Sequence, residues 1–150
     1  MSGGDIFVVN SGSRVIGEYT TSGATVNASL ISGLDFPNAV AVSGGDLFIT
    51  DYSLDSIEEY TTGGAVINIT LVTGLDDPTG IVLSGNDLFV ANSLGGSSGT
   101  IGEYTTAGAL VNAALITGLN DPSYLTTPEP TTLALAGLGG LSLLLARRRK

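Results

Sequence analysis

The feature that most constrains the fold of this chain is a threefold internal repeat. The segment Asp5-Ile6-Phe7 recurs as Asp46-Leu47-Phe48 and again as Asp87-Leu88-Phe89, each time 41 residues further on. Two other blocks recur with it: Glu-Tyr-Thr-Thr, beginning at Glu18, Glu59 and Glu103, and Gly-Leu-Asx, beginning at Gly33, Gly74 and Gly118. A repeat of this length is usually one supersecondary unit that buries its apolar face only by stacking on its neighbours.

Each unit predicts four short strands separated by Gly, Asn, Asp or Pro. In the middle unit these strands are expected at 46–50, 56–61, 66–73 and 80–83, which are β-branched and aromatic runs of strand length. Within 66–73, the residues Ile67, Ile69 and Leu71 alternate with Asn68, Thr70 and Val72, a period of two that is typical of a strand.

Four strands in 41 residues is the size of a β-propeller blade. The succession of 77–83, 86–92 and 101–104 resembles NHL-type propeller repeats, and the resemblance spans about residues 2–125. The sequence therefore predicts an all-β fold of about three four-stranded propeller-type blades, a partial β-propeller with units near 2–42, 43–83 and 84–125. A β-solenoid or a β-sandwich is the structural alternative, since strand patterns alone leave sheet topology open.

The phase of the repeat predicts that the blades are cut unevenly. If 38–42 is an inner strand, the chain starts at the second strand of a blade and reaches the first strand of another at 123–125. Closed propellers typically have about 4–8 blades, so three would leave sheet faces and edges uncovered. Two hypotheses follow: two chains pair into a six-bladed ring, or the chain is the C-terminal half of a longer protein. The second also explains why residues 1–5 show no secretory signal, and it is preferred.

The C-terminal residues 126–150 form a different segment. Pro128, Glu129 and Pro130 precede the uncharged run 131–146, and a basic cluster ends the chain: Arg147, Arg148, Arg149 and Lys150. As a helix the run would span about 24 Å at roughly 1.5 Å per residue, near the lower limit for crossing a bilayer. We expect one C-terminal transmembrane helix, with the cations in the cytoplasm and 1–130 on the other side. The alternative is a buried core helix with an exposed basic end.

This order of Pro128-Glu129-Pro130, apolar helix and basic cluster resembles the PEP-CTERM sorting signal of bacteria that have outer membranes and exopolysaccharide systems. In that family a membrane enzyme, exosortase, processes the tail. The resemblance implies export, an exosortase as partner, and delivery to the cell envelope, the cell surface or the extracellular matrix. It implies nothing about the activity of residues 1–127.

Composition narrows the chemistry of the repeats. The chain has no His and no Cys, and Arg14 is its only base before residue 147, against 14 Asp and Glu. So acidic a surface repels nucleic acid, and no nucleophile–base pair can be assembled. We expect no catalytic residue, metal or cofactor. The acids and tyrosines that recur in each unit are interpreted as structural, rather than as cation ligands or sugar platforms: Asp5, Asp46, Asp87, Glu18, Glu59, Glu103, Tyr19, Tyr60 and Tyr104.

Three functions are compatible with these observations. The preferred one is an exported, non-enzymatic cell-surface or extracellular-matrix repeat protein, with exopolysaccharide as a possible ligand of its blades. The second is a fragment of a propeller lactonase or lyase whose site lies in further blades. The third is a stably membrane-anchored binding protein that retains the 131–146 helix.

Overall fold

A computed structural model describes residues 4–95 and 98–127 of the chain. The sorting motif 128–130, the predicted helix 131–146 and the basic cluster 147–150 lie outside the described residues. Within the described residues, no helix has the length and apolar character needed to cross a membrane. The described residues form these strands: β1 Asp5–Asn10, β2 Val15–Thr20, β3 Thr25–Ser32, β4 Pro37–Ser43, β5 Asp46–Asp51, β6 Ser56–Thr61, β7 Val66–Thr73, β8 Pro78–Ser84, β9 Asp87–Asn92, β10 Gly99–Thr105 and β11 Leu110–Leu119.

The strands form three antiparallel meanders that follow one another along the chain. Their orders are β1-β2-β3, β4-β5-β6-β7 and β8-β9-β10-β11. The innermost strands β4 and β8 lie beside each other, and each is joined to its second strand by a two-residue loop. Gly44 and Gly85 open these loops with φ of 59° and 63°, the left-handed backbone that short hairpins require. The all-β prediction of propeller-type blades is confirmed, with two complete four-stranded sheets and one of three strands.

The core lies between the sheets and not within any one of them. One apolar cluster joins the first sheet, through Ile16 and Ile31, to Leu47, Ile49 and Tyr60 of the second. The equivalent cluster joins the second sheet to the third: Phe48, Ile57, Val72, Leu88, Val90 and Tyr104. Because alternate side chains of a strand point to opposite faces, the second sheet, which lies between the other two, contributes to both clusters. Tyr60 and Tyr104 therefore pack between units, as the sequence predicted.

The outermost strand of each sheet is different. Ile67 and Ile69 alternate with polar residues as a half-buried strand would, yet they are 47% and 53% exposed. On the same strand only Val72 is buried, opposite Ile57 of β6. The reason is the radial arrangement: neighbouring sheets diverge away from the inner strands, so the outer strands lose the cover of the next sheet. A period of two therefore marks the strand correctly but does not reveal which face is buried.

The segment 122–127 continues the pattern beyond the third sheet. The Thr79 hydroxyl donates a hydrogen bond of 2.5 Å to the carbonyl of Pro122, and the Thr127 hydroxyl donates one of 3.2 Å to the carbonyl of Leu83. In the preceding unit, Asn38 makes the equivalent contact with the carbonyl of Pro78. The segment thus lies beside β8 as β8 lies beside β4. The predicted phase is confirmed: β1 is a second strand and 122–127 has the place of a first strand.

Candidate binding surface

The two ends of the stacked sheets have different chemistry. Connections alternate between the ends because each sheet is an antiparallel meander. At one end the described loops are 21–24, 44–45, 62–65, 85–86 and 106–109, built of Thr, Ser, Gly, Ala and Asn without a charged residue. At the other end the loops concentrate carboxylates and aromatic rings. We call this second region the acid–aromatic end, defined by Asp35, Phe36, Tyr52, Asp55, Asp76, Asp77 and Asp121.

A buried carboxylate organises the centre of this end. Asp51, at the end of β5, is 0% exposed and accepts hydrogen bonds from four backbone N–H groups. Two of the donors, Asp35 and Phe36, belong to the loop that precedes β4, and the other two, Ser53 and Leu54, belong to the loop that follows β5. The distances are 3.0 and 2.9 Å to Oδ2, and 3.0 and 3.1 Å to Oδ1. One side chain therefore fixes two neighbouring loops against each other.

These two loops carry the aromatic pair of the surface. The Phe36 and Tyr52 rings lie 5.8 Å apart between centroids, inclined at 59°. The backbone N–H of Tyr52 also donates to the carbonyl of Phe36 at 2.9 Å. The rings remain 42% and 38% exposed, so much of their apolar surface faces solvent. Rings that are held by their backbones and left open make a rigid apolar platform, the kind of group that anchors a ligand at little entropic cost.

Carboxylates surround this platform. The negative charge of Asp77 raises the pKa of Tyr52, and Asp55 and Asp121 act in the same direction. The Asp55 side chain accepts the backbone N–H of Asp77 at 3.1 Å, and Asp121 accepts the Ser93 hydroxyl at 2.6 Å. Arg14, paired with Asp35 at 3.3 Å, supplies a positive charge to this end. The surface is therefore acidic, with carboxylate oxygens available as hydrogen-bond acceptors.

The backbone of this end is strained. Of the described residues, five that are not glycine have left-handed φ values, and all five lie in these loops: Arg14, Asp55, Asp77, Leu94 and Asp121. Glycine takes the corresponding conformation in the uncharged loops, for example at Gly64 and Gly108. A side chain in this conformation costs of order 1–3 kcal/mol, and such residues concentrate at functional sites. Left-handed residues with side chains are therefore confined, among the described residues, to the loops of the acid–aromatic end.

The chemistry of this end is suited to binding. Open aromatic rings stack on apolar faces, and carboxylates accept hydrogen bonds from hydroxyl groups, the two contacts that a neutral sugar offers. The excess of negative charge disfavours polyanions. In the parts of the chain that the structure describes, no three acidic side chains converge as a metal site would require.

The residues singled out from the sequence lie elsewhere. Asp5, Asp46 and Asp87 begin the second strand of their units, so they lie next to the uncharged loops at the opposite end, and Glu18, Glu59 and Glu103 lie within the third strand. None of them reaches the acid–aromatic end. The residues that build it are loop residues of the Gly-Leu-Asx block and of the turn after the second strand. Their repeated position after a strand is the signal that would have placed them together.

One unit departs from the repeat in its core. Gly17 and Gly102 lie under the rings of Tyr19 and Tyr104, where an added Cβ would come within 2.8 Å of the ring. The corresponding residue of the middle unit is Glu58, which is 4% exposed and accepts a hydrogen bond of 2.8 Å from the Tyr60 hydroxyl. Burial raises the pKa of Glu58, the Tyr60 hydrogen bond opposes that shift, and the charge of Asp51 adds to it.

The buried Glu58 makes stability depend on pH. A carboxyl whose pKa is raised by folding stabilises the folded state below its unfolded value of 4.5, and that contribution is lost as pH rises through the raised value. We expect Glu58→Gln to remove this loss, so that the variant gains stability over the parent as pH increases from 4 to 7. Urea unfolding at several pH values measures it. Equal pH profiles for parent and variant would contradict the assignment. Glu58→Gly, which restores the glycine of the other units, should show the same change in the pH dependence of stability as Glu58→Gln.

Comparison with known families identifies the C-terminal segment. Residues 126–150 match the PEP-CTERM protein-sorting motif. This confirms the resemblance carried by Pro128-Glu129-Pro130, the uncharged run and the basic cluster. The motif is a signal for exosortase-dependent export and for membrane-associated sorting to the cell envelope or surface. Comparison with curated protein sequences gave no match.

Comparison with solved structures identifies the fold of the repeats. The chain is similar to a structure of the nidogen/laminin complex, with 23% identity and a TM-score of 0.73 over 83% of this chain and 48% of that one. It is also similar to a catalytically inactive virginiamycin B lyase from Staphylococcus aureus with quinupristin, with 22% identity and a TM-score of 0.65 over 85% and 43%. A computationally designed protein, Ika4, matches at 13% identity and a TM-score of 0.63 over 86% and 77%.

These similarities establish the propeller-type fold. Their sequence identities are too low to carry an activity from one protein to another. The chain spans slightly less than half the length of the laminin-complex and lyase chains that it matches.

Proposed function

We propose that the chain is an exported, non-enzymatic repeat protein of the cell surface or extracellular matrix, and that its acid–aromatic end binds neutral polysaccharide. The observation that supports the destination is the PEP-CTERM motif at residues 126–150. The observations that support the binding role are the open Phe36–Tyr52 platform and its ring of carboxylates.

The direction of the chain supports the display of this surface. The segment 122–127 runs beside β8 from Gly80 towards Leu83 and the 85–86 loop, so Thr127 lies at the uncharged end. The sorting motif follows Thr127 directly in the sequence. A chain held through this segment presents the uncharged loops towards the membrane and the acid–aromatic end away from it. The acid–aromatic end is thereby directed at the material outside the cell.

The sorting part of the proposal predicts the mass of the mature protein. In a bacterium that has an exosortase, we expect the mature chain to lack the 131–146 run and the basic residues 147–150, because processing takes place near the Pro-Glu-Pro motif. Intact-mass measurement of the surface fraction tests this, with an exosortase-deficient strain as control, in which the chain should still end at Lys150. A mature chain ending at Lys150 in both strains would show instead a stably anchored protein.

The binding part predicts the effect of removing the platform. Tyr52→Ala should weaken binding to a neutral glucan such as dextran at least tenfold, about 1.4 kcal/mol, the loss expected for an aromatic anchor. The matched control is Val66→Ala, which shortens an exposed apolar side chain on the outer strand β7. Affinity electrophoresis in gels containing dextran or the anionic polysaccharide alginate measures both. Equal mobility of parent and Tyr52→Ala in dextran, or tighter binding to alginate, would contradict the proposal.

A further inference from the structure

The first sheet has an exposed apolar face on β1. The equivalent face is buried in both the second and the third sheet. Ile6 and Val8 on β1 are 44% and 36% exposed. Their equivalents are Leu47 and Ile49 in the second sheet and Leu88 and Val90 in the third, and all four are 0% exposed. Those four are buried because a preceding sheet packs against them. We call the surface of Ile6, Val8 and Tyr19 the leading face of the chain.

The third sheet has the complementary uncovered surface. Ile116 on β11 is 49% exposed, whereas its equivalents Val72 and Ile31 are 6% and 3% exposed under the sheet that follows them. Ile116 lines an apolar cavity of about 290 Å³ together with Val82, Phe89, Ile101 and Leu125. We call this surface the trailing face. In the second sheet, the equivalent residues Ala41, Phe48, Ile57 and Val72 pack against the leading face of the third.

The two faces fit because the repeat makes them copies of interfaces that already exist inside the chain. The contact of the first sheet with the second, and of the second with the third, joins a trailing face to a leading face. The uncovered trailing face of the third sheet and the uncovered leading face of the first sheet are equivalent to the surfaces that meet at these two contacts. Together they would form the next contact of the same kind. Burial of apolar side chains of this size is worth about 1.5–3 kcal/mol each.

The outer loops show the same relation. An added Cβ on Gly64 would lie 2.6 Å from the carbonyl oxygen of Leu30, and Gly108 is as close to the carbonyl of Leu71. The next pair in the series is Leu115 with Gly23. Gly23 has nothing within 4 Å of such a Cβ, and Leu115 is 44% exposed. Both members of the pair are thus present and uncovered, one at each end of the stack.

The inner strand completes the fit. In the second sheet, β4 pairs with β5 through Val42 opposite Leu47 and Ala41 opposite Phe48. The segment 122–127 lies beside β8 as β8 lies beside β4, but the structure shows no ladder partner for it among the described residues. β1 likewise has a partner only in β2. By the register of the repeat, Thr127 belongs opposite Ile6 and Thr126 opposite Phe7.

From these observations we propose that two copies of this chain associate head to tail into a closed six-bladed ring, the first of the two hypotheses that the phase of the repeat raised. In that ring the trailing face and the 122–127 strand of each copy cover the leading face and the β1 edge of the other. Two copies supply six sheets, within the range of about 4–8 for closed propellers, whereas three copies would supply nine. Such head-to-tail contacts close only when the rotation between copies completes a circle.

The mass of the purified full chain in mild detergent tests the ring. Sedimentation equilibrium should give twice the 15.1 kDa of one chain. Val8→Asp and Ile116→Asp should each raise the dimer dissociation constant at least about 100-fold, because each places a charge in the interface. The control is Val26→Asp, since Val26 is 53% exposed and its equivalents Ile67 and Val111 stay exposed beside their neighbours. A monomeric parent, a parent larger than two copies, or a dimer that survives Val8→Asp would overturn the proposal.

Mixing the two variants separates this ring from other dimers and from misfolding. A Val8→Asp chain keeps its trailing face and an Ile116→Asp chain keeps its leading face, so the mixture has one intact interface and should form heterodimers. If like faces paired with like, one of the two variants alone would remain dimeric: Ile116→Asp for pairing of leading faces, and Val8→Asp for pairing of trailing faces. Failure of the mixed variants to associate, with each retaining the β-sheet circular dichroism of the parent, would also overturn the head-to-tail arrangement.

Discussion

Replacing Asp51 with alanine is expected to destabilise the protein by about 4 kcal/mol. The carboxylate is fully buried and accepts four backbone N–H groups from two loops. Hydrogen bonds to a charged group contribute about 1.5–3 kcal/mol each, and removing the acceptor leaves its donors unsatisfied where water cannot reach them easily. Urea unfolding followed by circular dichroism measures the change in the free energy of unfolding.

The repeat provides a matched control for this variant. Asn92 occupies the corresponding position of the third unit and is 5% exposed. Among the described residues, its Oδ1 accepts no hydrogen bond, and its Nδ2 donates one of 3.5 Å to Thr100. Asn92→Ala should therefore cost no more than about 1.5 kcal/mol. If both variants lost the same amount, burial of the position and not the four-donor carboxylate would be responsible.

Asp51→Ala should also disturb the candidate binding surface. Asp51 accepts the N–H of Phe36 and of Leu54, on either side of the Phe36–Tyr52 pair. Without that acceptor the two loops lose their common attachment, and we expect weaker dextran binding even in conditions where the variant is folded. Asp51→Asn keeps the size of the side chain and one acceptor oxygen, and it should lie between the parent and Asp51→Ala in both measurements.

Phe48→Ala is expected to cost about 3–5 kcal/mol. Phe48 is 1% exposed and lies in the cluster that joins the second and third sheets, beside Ile57 and Leu88. The change removes the largest fully buried side chain of the described residues and leaves a cavity between two rigid sheets that cannot close it. The unfolding midpoint in urea should fall with little change in the slope.

A second phenylalanine makes the comparison specific. Phe36→Ala removes the same side chain from the acid–aromatic end, where the ring is 42% exposed. It should cost less than about 1 kcal/mol in stability, because the ring is partly exposed and its aromatic partner, Tyr52, is partly exposed as well. The two variants are thus expected to have opposite profiles: Phe48→Ala is unstable, and Phe36→Ala is stable but binds dextran weakly. A large loss of stability in Phe36→Ala would show that the ring is part of the core.

Much of the fold follows from local signals. The strands predicted at 56–61 and 66–73 in the middle unit have the observed bounds, and the strand predicted at 46–50 is one residue longer. The strand predicted at 80–83 extends back to Pro78, because a proline is tolerated where a strand begins. Turn residues and β-branched runs act over a few residues, so the sequence contains them directly. The sorting motif is likewise a linear pattern, and it was found as one.

The sequence by itself determined the repeat, its phase, its strands and the sorting segment, because each of these depends on neighbours along the chain. Only the tertiary structure decided which strand faces are buried, that Glu58 takes the place of a glycine under a tyrosine ring, and that one end gathers the carboxylates and aromatic rings. These features depend on how the sheets diverge and on which loops meet across separations of 15 to 28 residues. The structure also revealed that the two uncovered faces of the chain match, since that match concerns surfaces at opposite ends of the stack.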